Sequence, residues 1–427
     1  MSLFTPPAFL ASANIYCVNL RQYSKEGNFK AFARQIPRLK DMGVQIIWFM
    51  PLHPIGIPHR KGSMGSYYSI SDFKAINPEF GTAADFKQVV EACHALGIKV
   101  IMDWVANHAA WDNVWTKTHP DFFEQDAQGH FKPPFDWDDV IQINHSNPRQ
   151  QEAMTDAMLY WIKAFDIDGF RADLAHLTPL AFWINARKKA SAIKSDLIWL
   201  AETENINYHQ AFDISFTWQW MHLTESYSKG QAPFQQLKDC LQQYRQQFPA
   251  QALRMWFTSN HDENSWNGTA FEKYGHHVKA LSVFNATYPG IPLIYSGEED
   301  MLDKRLKFFD KDAIEWKYHY AWHMFYRTLL RLRQTSRLFK AMDASELHWL
   351  PDADKNEMLA YYRSNGNDVL IVLINISPQP QHYNICLPQF AGLFNHVFTG
   401  EQVWLGEQLQ IALGSGEFLL LSNEAIF

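Results

Sequence analysis

The sequence predicts a (β/α)8 barrel followed by an all-β unit, and two changes of pattern along the chain support this prediction. Up to about residue 340, apolar β-branched runs alternate with stretches of helical spacing, which is typical of a parallel sheet covered by helices. Beyond that point, alternating strand-like runs and turns take over. We expect the barrel at 1–108 and 143–340, a short loop domain after the third strand at 109–142, and a β-sandwich-like domain at 341–427.

The predicted barrel strands recur at regular intervals. The run GVQIIWFMPL, which begins at Gly43, is a buried strand, and apolar residues from Phe86 to Leu96 follow at helical spacing up to Gly97. Seven further apolar runs bring the predicted strands to eight, at residues 13–20, 99–104, 168–174, 197–202, 213–218, 253–259 and 292–296. A closed barrel is the economical arrangement for this number of βα steps.

Two segments depart from the βα pattern. Residues 109–142 are rich in Trp, Asp and Pro without a clean period, so we expect a loop excursion whose aromatic residues either stack on sugars or pack the excursion against the barrel. The turn SNGN at residues 364–367 lies between two strand-like runs and predicts a β-hairpin. We expect the C-terminal unit to cover one side of the barrel, because it carries no obvious catalytic cluster.

Composition excludes several classes of function. A net charge of −7 without a basic tract gives no surface for nucleic acid or an anionic membrane, and no apolar run reaches 18 residues. The four cysteines lack the spacing of a disulfide framework or a metal site. No Lys or Arg precedes Arg21, which predicts no signal peptide and a cytoplasmic protein, unless a signal was removed before residue 1. The sequence does not indicate the oligomeric state.

Four short stretches place acidic residues directly after predicted strands. They are DWVANH from Asp103, GFRADLAH from Gly169, LAETEN from Leu200 and FTSNHDEN from Phe257. In a parallel barrel the residues that follow the strands gather at one face, where such enzymes carry their active sites. Three of the carboxylates in these stretches could therefore form one active site.

The residue types suit hydrolysis of a glycosidic bond with retention, which needs a carboxylate nucleophile about 5–5.5 Å from a protonated carboxylic acid. Asp173 lies two residues after Arg171, so both side chains point to one face of a strand, where the cation would keep the aspartate ionised. Glu202 follows the apolar run from Trp199, a setting that would raise its pKa and keep the proton that it must donate. Asp262 could bind sugar hydroxyls and distort the ring toward the transition state.

His108 and His261 add hydrogen-bonding groups for the same hydroxyls. Taken singly, an Asp or a His in a chain of this kind is more often a helix cap, an ion-pair partner or a buried structural group. Four clusters after four predicted strands favour the active site over these structural alternatives.

The four stretches, in this order, resemble the four signature regions of the α-amylase family of glycoside hydrolases. The resemblance extends to GVQIIWFMPLHPIG, GSYYSISDFKAINPEFGT, IQINHSNP and IPLIYSGEE, and it covers residues 13–335. It implies Asp173 as the nucleophile, Glu202 as the general acid and base, and Asp262 as the group that stabilises the transition state.

The same resemblance implies substrate-binding roles for four further residues. Arg171, His108 and His261 would bind the sugar that is cleaved, Tyr68 would stack on it or serve as a core aromatic residue, and Asp103 would support Arg171 from beneath. These positions lie in the matching motifs of this chain.

Some positions depart from the family pattern. The Lys–His pair that commonly follows the nucleophile corresponds here to His176 and Leu177, which puts binding on the leaving-group side in question, and Ala201 stands where many relatives have Gly. Asn107 matches a position that holds calcium in many relatives. No cofactor is required and calcium is possible, although Asn107 could instead fix the loop by local hydrogen bonds.

The sequence therefore predicts a retaining hydrolase that cleaves α-1,4-glucosidic bonds of starch-derived maltooligosaccharides by double displacement. A transglycosylase of the same family, in which a sugar hydroxyl resolves the covalent intermediate, would use the same residues. An inactive binding protein of this fold is disfavoured because all three carboxylates are present. Bond preference and endo or exo action depend on loop shapes that the sequence does not give.

Overall fold

The computed structural model describes residues 4–249, 251–340, 346–351 and 357–424. Eight parallel strands close into a barrel and follow one another around the ring in chain order, which confirms the predicted fold. They are β1 (Ile15–Val18), β2 (Ile46–Phe49), β3 (Lys99–Trp104), β4 (Gly169–Ala172), β5 (Ile198–Ala201), β6 (Ile214–Phe216), β7 (Leu253–Trp256) and β8 (Ile291–Tyr295). The ring closes where Ile15 of β1 lies opposite both Ile46 of β2 and Leu293 of β8.

Helices cover the barrel on the outside. Ala83–Ala95 begins at a capping box between Thr82 and Asp85 and buries Phe86 with its neighbours at the predicted spacing. The last helix of the barrel runs from His323 to Thr335. The other α-helices are Leu20–Tyr23, Phe29–Ala33, Ile36–Met42, Val114–Thr118, Pro148–Phe165, Leu180–Ser191, Trp218–Ser228, Phe234–Gln247, Ala270–Tyr274 and Val278–Thr287. None of the helices in the described ranges has the length and hydropathy of a membrane-spanning segment.

The excursion after β3 leaves the barrel and returns to it at nearly the same place. His108–Ala109 pairs antiparallel with Ile141–Gln142, which ties the two ends of the excursion together. Trp115 packs on Phe73, in the loop after β2, with 5.0 Å between ring centroids, so this tryptophan packs the excursion against the barrel. The ring of Trp137 instead lies 5.6 Å from the ring of His108. The bounds 109–142 for a separate loop domain remain a prediction.

The C-terminal part is all-β, as expected. Its strands are β9 (Glu346–Trp349), β10 (Met358–Asn365), β11 (Asp368–Asn375), β12 (Gln381–Ile385), β13 (Gly392–His396), β14 (Gln402–Leu405), β15 (Leu409–Leu413) and β16 (Phe418–Ser422). Six of them form a sheet in the order β9-β10-β11-β16-β13-β14, and β12 pairs with β15. β10 and β11 form the predicted hairpin, with Gly366 at a φ of 59° in the turn. The predicted boundary at residue 341 lies outside the described residues.

One fully buried arginine joins the beginning of the barrel to its end. The guanidinium of Arg333 donates to the backbone oxygens of Ala11 (3.2 Å) and Ala13 (3.2 Å), which precede β1. It also donates to the oxygens of Ala286 (2.9 Å) and Gly290 (2.7 Å), which precede β8. Burial lowers the pKa of Arg333 to about 9. This residue therefore satisfies four carbonyl groups at the place where the barrel closes.

A buried carboxyl follows β8. Glu298 accepts hydrogen bonds from the hydroxyl groups of Tyr326 (3.0 Å) and Thr258 (3.4 Å). Burial raises its pKa from the ordinary 4.5 to about 8. The folded protein therefore holds a proton at neutral pH that the unfolded chain releases.

This proton makes the stability of the protein depend on pH. Between pH 4.5 and about 8 the folded state binds more protons than the unfolded state, so the free energy of unfolding falls as the pH rises through this window. We expect Glu298→Gln, which cannot ionise, to raise the free energy of unfolding at pH 8 by roughly 1–3 kcal/mol and to change it little at pH 4.5. Urea unfolding at the two pH values measures this difference, and equal effects at both would contradict the assignment.

Candidate active site

One buried guanidinium holds the acidic groups together at the carboxyl ends of the strands. Arg171, on β4, is fully buried, and its Nη1 lies 2.8 Å from Asp103 Oδ1 and 2.9 Å from Asp173 Oδ1. Its Nη2 lies 2.8 Å from Glu202 Oε2. The indole ring of Trp48 packs 5.0 Å from the guanidinium carbon. Three of the four acidic stretches of the sequence therefore meet at a single cation.

The two predicted catalytic carboxyls share this cation. Burial raises the pKa of Asp173, while Arg171 acts in the opposite direction. Burial also raises the pKa of Glu202, and Arg171 again opposes it. The raised pKa predicted for Glu202 is confirmed, whereas the prediction that Arg171 keeps the pKa of Asp173 low is wrong, because burial outweighs the cation, which Glu202 also contacts. The two carboxyls titrate as an interacting pair around one guanidinium.

The backbone after Asp173 also contributes to the pair. Leu174 has a φ of 40°, in the left-handed region that a leucine rarely adopts. In this conformation its N–H group donates a hydrogen bond of 2.9 Å to Glu202 Oε2. The strained residue thus holds the Glu202 carboxyl in place beside Asp173, as is common for strained backbone at active sites.

A tight turn after β7 presents the third carboxyl. The side-chain oxygen of Asn260 accepts hydrogen bonds from the N–H groups of Asp262 (3.0 Å) and Glu263 (2.8 Å). This turn leaves the Asp262 side chain 35% exposed. Partial burial and the neighbouring carboxyl of Glu202 raise the pKa of Asp262. This acid can therefore meet a ligand at the mouth of the barrel.

Tyr68 and His261 form a hydrogen-bonded aromatic pair beside Asp262. The Tyr68 hydroxyl lies 2.6 Å from His261 Nε2 and 3.2 Å from Asp103 Oδ2. The two rings stack at a centroid distance of 5.7 Å. Burial, and then the charge of Arg171, lower the pKa of His261 well below its ordinary value. The imidazole is therefore neutral at neutral pH.

His108 lies on the excursion side of the site. Burial lowers its pKa to about 4, so this imidazole is also neutral. Asn107 Nδ2 lies 3.2 Å from His108 Nδ1. On the other side of the amide, Gln142 Nε2 donates to Asn107 Oδ1 (3.1 Å) and to the Asn107 backbone oxygen (2.9 Å).

These contacts bear on calcium. Calcium takes six to eight oxygen ligands, but the side-chain oxygen of Asn107 already accepts a hydrogen bond from Gln142. No group of three or more Asp, Glu, His or Cys side chains arranged for a metal occurs in the described part of the chain. The hydrogen bonds of Asn107 with Gln142 and His108 fix the start of the excursion.

The predicted residues line one cleft of about 360 Å³, to which Tyr68, His108, Asp173, Glu202 and Asp262 contribute. Arg171 and His261 lie fully buried beneath this lining. Several other lining residues were not predicted from the sequence, namely Lys61, Asp139, Trp266, Phe308 and Phe309. The aromatic pair FF in the loop after the eighth predicted strand was a signal that could have found two of them.

His176, which the sequence places on the leaving-group side, lies near Asp173 and Glu202 and, against the effect of burial, lowers the pKa of both carboxyls. His176 is exposed, and its backbone oxygen accepts a hydrogen bond of 3.2 Å from the Tyr208 hydroxyl. Trp111 donates from Nε1 to the backbone oxygen of Asp138 (2.9 Å) within the excursion. Trp266 is instead the half-exposed aromatic residue at the cleft, where it packs on Phe308 with 5.3 Å between ring centroids.

Comparison with known proteins places this geometry in a family. A model of the alpha-amylase catalytic domain matches residues 14–142 and 135–368, and a model of the alpha-amylase C-terminal all-beta domain matches residues 349–416. The alpha-amylase MalA of Haloarcula japonica is 27% identical over 407 residues, which cover 88% of this chain. The chain spans 57% of the length of that relative.

Two solved structures are similar along nearly the whole chain. The crystal structure of a noncanonic maltogenic alpha-amylase, AmyB, from Thermotoga neapolitana is 30% identical, with a TM-score of 0.87 over 97% of this chain and 99% of that one. The crystal structure of an alpha-amylase from Lactobacillus plantarum is 29% identical, with a TM-score of 0.88 over 98% of this chain and 100% of that one. The chain therefore belongs to the alpha-amylase family, with its catalytic domain and its C-terminal all-beta domain.

Proposed function

We propose that the protein is a retaining hydrolase that cleaves α-1,4-glucosidic bonds of starch-derived maltooligosaccharides. The observation that carries this proposal is the contact of Arg171 with both Asp173 and Glu202 at one cleft lined by aromatic rings. The similarity to solved structures described as alpha-amylases supports it. Maltodextrins inside the cell are the substrates we propose, in keeping with the cytoplasmic location that the sequence predicts.

In the first step, a carboxylate oxygen of Asp173 attacks the anomeric carbon of the bound sugar. Glu202 donates its proton to the glycosidic oxygen, the carbon–oxygen bond to the leaving sugar breaks, and a glycosyl ester of Asp173 remains. Arg171 keeps the attacking oxygen aligned through Nη1. The raised pKa of Glu202 suits this role, because the group must be protonated when the substrate binds.

In the second step, Glu202 has become a carboxylate and acts as the general base. It removes a proton from a water molecule, whose oxygen attacks the anomeric carbon and displaces Asp173. Around the reacting ring, Tyr68 offers an aromatic face, and the carboxylate of Asp262 accepts hydrogen bonds from sugar hydroxyls. These hydrogen bonds strengthen as positive charge develops on the ring.

The test of this proposal is incubation of the purified protein with maltoheptaose and separation of the products over time by chromatography. Shorter sugars alone would support hydrolysis. Products longer than maltoheptaose would show that a sugar hydroxyl resolves the intermediate, so the transglycosylase alternative would replace the hydrolase. No products would refute the proposed activity on this substrate.

The role of Glu202 has a test of its own. We expect Glu202→Gln to lower kcat/KM for maltoheptaose by about 10²–10⁴-fold, the contribution of general acid catalysis. The first turnover of α-maltosyl fluoride should be affected far less, because fluoride leaves without a proton. Rapid-mixing measurement of fluoride release gives this comparison. Equal losses with both substrates would contradict the assignment of Glu202 as the acid.

A further inference from the structure

One side of the cleft is closed by a segment of the loop after β2, residues 55–66, which we call the β2 strap. On one flank, Lys61 Nζ lies 2.9 Å from Asp138 Oδ1 and 3.1 Å from Asp139 Oδ1 in the excursion. On the other flank, the Ser63 hydroxyl donates to Asp310 Oδ1 (2.6 Å) in the loop after β8. The strap therefore joins two loops that come from distant parts of the chain.

Backbone hydrogen bonds reinforce both flanks. The Ile57 N–H group donates to Asp112 Oδ2 (3.0 Å) in the excursion. The Met64 N–H group donates to the backbone oxygen of Phe309 (2.9 Å) in the loop after β8. Each flank thus has a backbone link and a side-chain link, so the three loops form one continuous wall.

The links of Lys61 differ in their exposure to solvent. The Asp138 side chain is 75% exposed, whereas that of Asp139 is 9% exposed. Lys61 and Asp139 both line the cleft. Because solvent screens exposed ion pairs strongly, the pair of Lys61 with Asp139 is the one that holds the strap to the excursion at the cleft itself.

The barrel order fixes where this wall stands relative to the chemistry. The strap follows β2 and its partner loop follows β8, and β1 lies between these two strands in the ring of eight. Glu202 comes directly after β5, which lies opposite β1 in the same ring. The wall therefore faces Glu202 across the mouth of the barrel.

Because the wall stands opposite Glu202, its position decides which part of a bound sugar chain it contacts. Glu202 protonates the oxygen of the leaving sugar, so the leaving chain extends on the Glu202 side. The sugar that stays on Asp173, with any units toward its non-reducing end, extends to the opposite side, where the strap and Phe308 stand.

We propose that the β2 strap closes the non-reducing side of the cleft after a short run of glucose units, so that the enzyme removes one short product of fixed length from the non-reducing end. The cleft volume of about 360 Å³, near the lower end of the roughly 300–1,000 Å³ of small-molecule sites, agrees with a short run. This inference rests on the proposed function and adds to it the direction and the length of the cut.

The experiment uses maltoheptaose labelled at its reducing end, with products resolved by length at low conversion. The wild-type protein should release one dominant short unlabelled sugar and a labelled remainder that is shorter by the same number of units. Labelled and unlabelled products of many lengths from the earliest time would overturn the inference while leaving hydrolysis intact. No cleavage at all would instead refute the proposed function, and the inference with it.

Variants of the two flanks test the strap itself. Lys61→Met keeps the length of the side chain but removes the ion pair, and Asp310→Ala removes the acceptor of Ser63 at an exposed position. We expect each to raise the share of longer unlabelled products about fivefold, the factor that corresponds to a link worth about 1 kcal/mol. Wild-type product patterns in both folded variants would overturn the role of the strap.

The matched control is Lys74→Met. Lys74 is an exposed lysine in the same loop, beyond the strap, and within the described residues it has no ion-pair partner. The variant makes the same change of charge without touching the wall. Its product pattern should equal that of the wild-type protein, and a shift as large as that of Lys61→Met would show that net charge and not the strap controls product length.

Discussion

Asp173→Asn is expected to lower kcat for maltoheptaose by about 10⁴-fold or more and to leave the fold intact. An amide oxygen does not form the covalent intermediate, and loss of a catalytic nucleophile costs far more than a packing change. The replacement has nearly the same shape and keeps a side-chain oxygen for the contact with Arg171 Nη1. The loss should therefore appear in kcat and not in stability.

Steady-state kinetics with a parallel urea unfolding curve separates these two effects. The matched control is Asp121→Asn, which makes the same change at a half-exposed aspartate of the excursion that pairs with Arg149 (2.9 Å). This control should keep wild-type turnover. Hydrolysis by Asp173→Asn at a rate near that of the wild-type protein would remove Asp173 from the mechanism.

Arg171→Met is expected to lower the free energy of unfolding by about 3–5 kcal/mol at pH 7, in addition to abolishing turnover. Removal of one partner from a buried ion cluster leaves the other charges uncompensated, and here three carboxyls lose the same cation. Their pKa values, already raised by burial, rise further above the values of the unfolded chain.

The sign of the pH dependence follows from these pKa shifts. Carboxyls that hold a proton only in the folded state make stability fall as the pH rises above their ordinary pKa values of 3.8 and 4.5. The variant should therefore lose less stability at pH 5 than at pH 7, as measured by urea unfolding at both. Arg171→Lys serves as the control. Its ammonium group keeps the positive charge but lacks the planar fork with which the guanidinium contacts three carboxyls. A loss of less than about 1 kcal/mol in the free energy of unfolding of Arg171→Met at pH 7 would show that Arg171 does not compensate the three carboxyls.

The barrel could be predicted from the sequence because its strands are buried on both faces. Each appears as an apolar run, and the runs at residues 13–20 and 213–218 contain β1 and β6. Periodicity also gave the helix Ala83–Ala95 to within a few residues. The ends of strands and helices were less precise, because caps and turns decide them.

The site was predictable as a set of residues but not as an electrostatic arrangement. The sequence places Arg171 two residues before Asp173, which suggests a pair, whereas the curvature of the barrel brings Glu202 of the next strand to the same guanidinium. The β2 strap could not be predicted either. Lys61, Asp138 and Asp310 lie in three loops with no shared period, and only the closed ring brings them together.

The buried Arg333 has a consequence for synthesis of the chain on the ribosome. The carbonyl groups of Ala11 and Ala13 emerge early, but the guanidinium that satisfies them emerges some 320 residues later. At about 5–20 residues per second, roughly 16–64 s separate these events. For most of that time β1 can pair with β2 but lacks β8, so its free edge is exposed to other chains. Completion of the barrel is therefore a late event, which follows emergence of the helix that carries Arg333 from the ribosome.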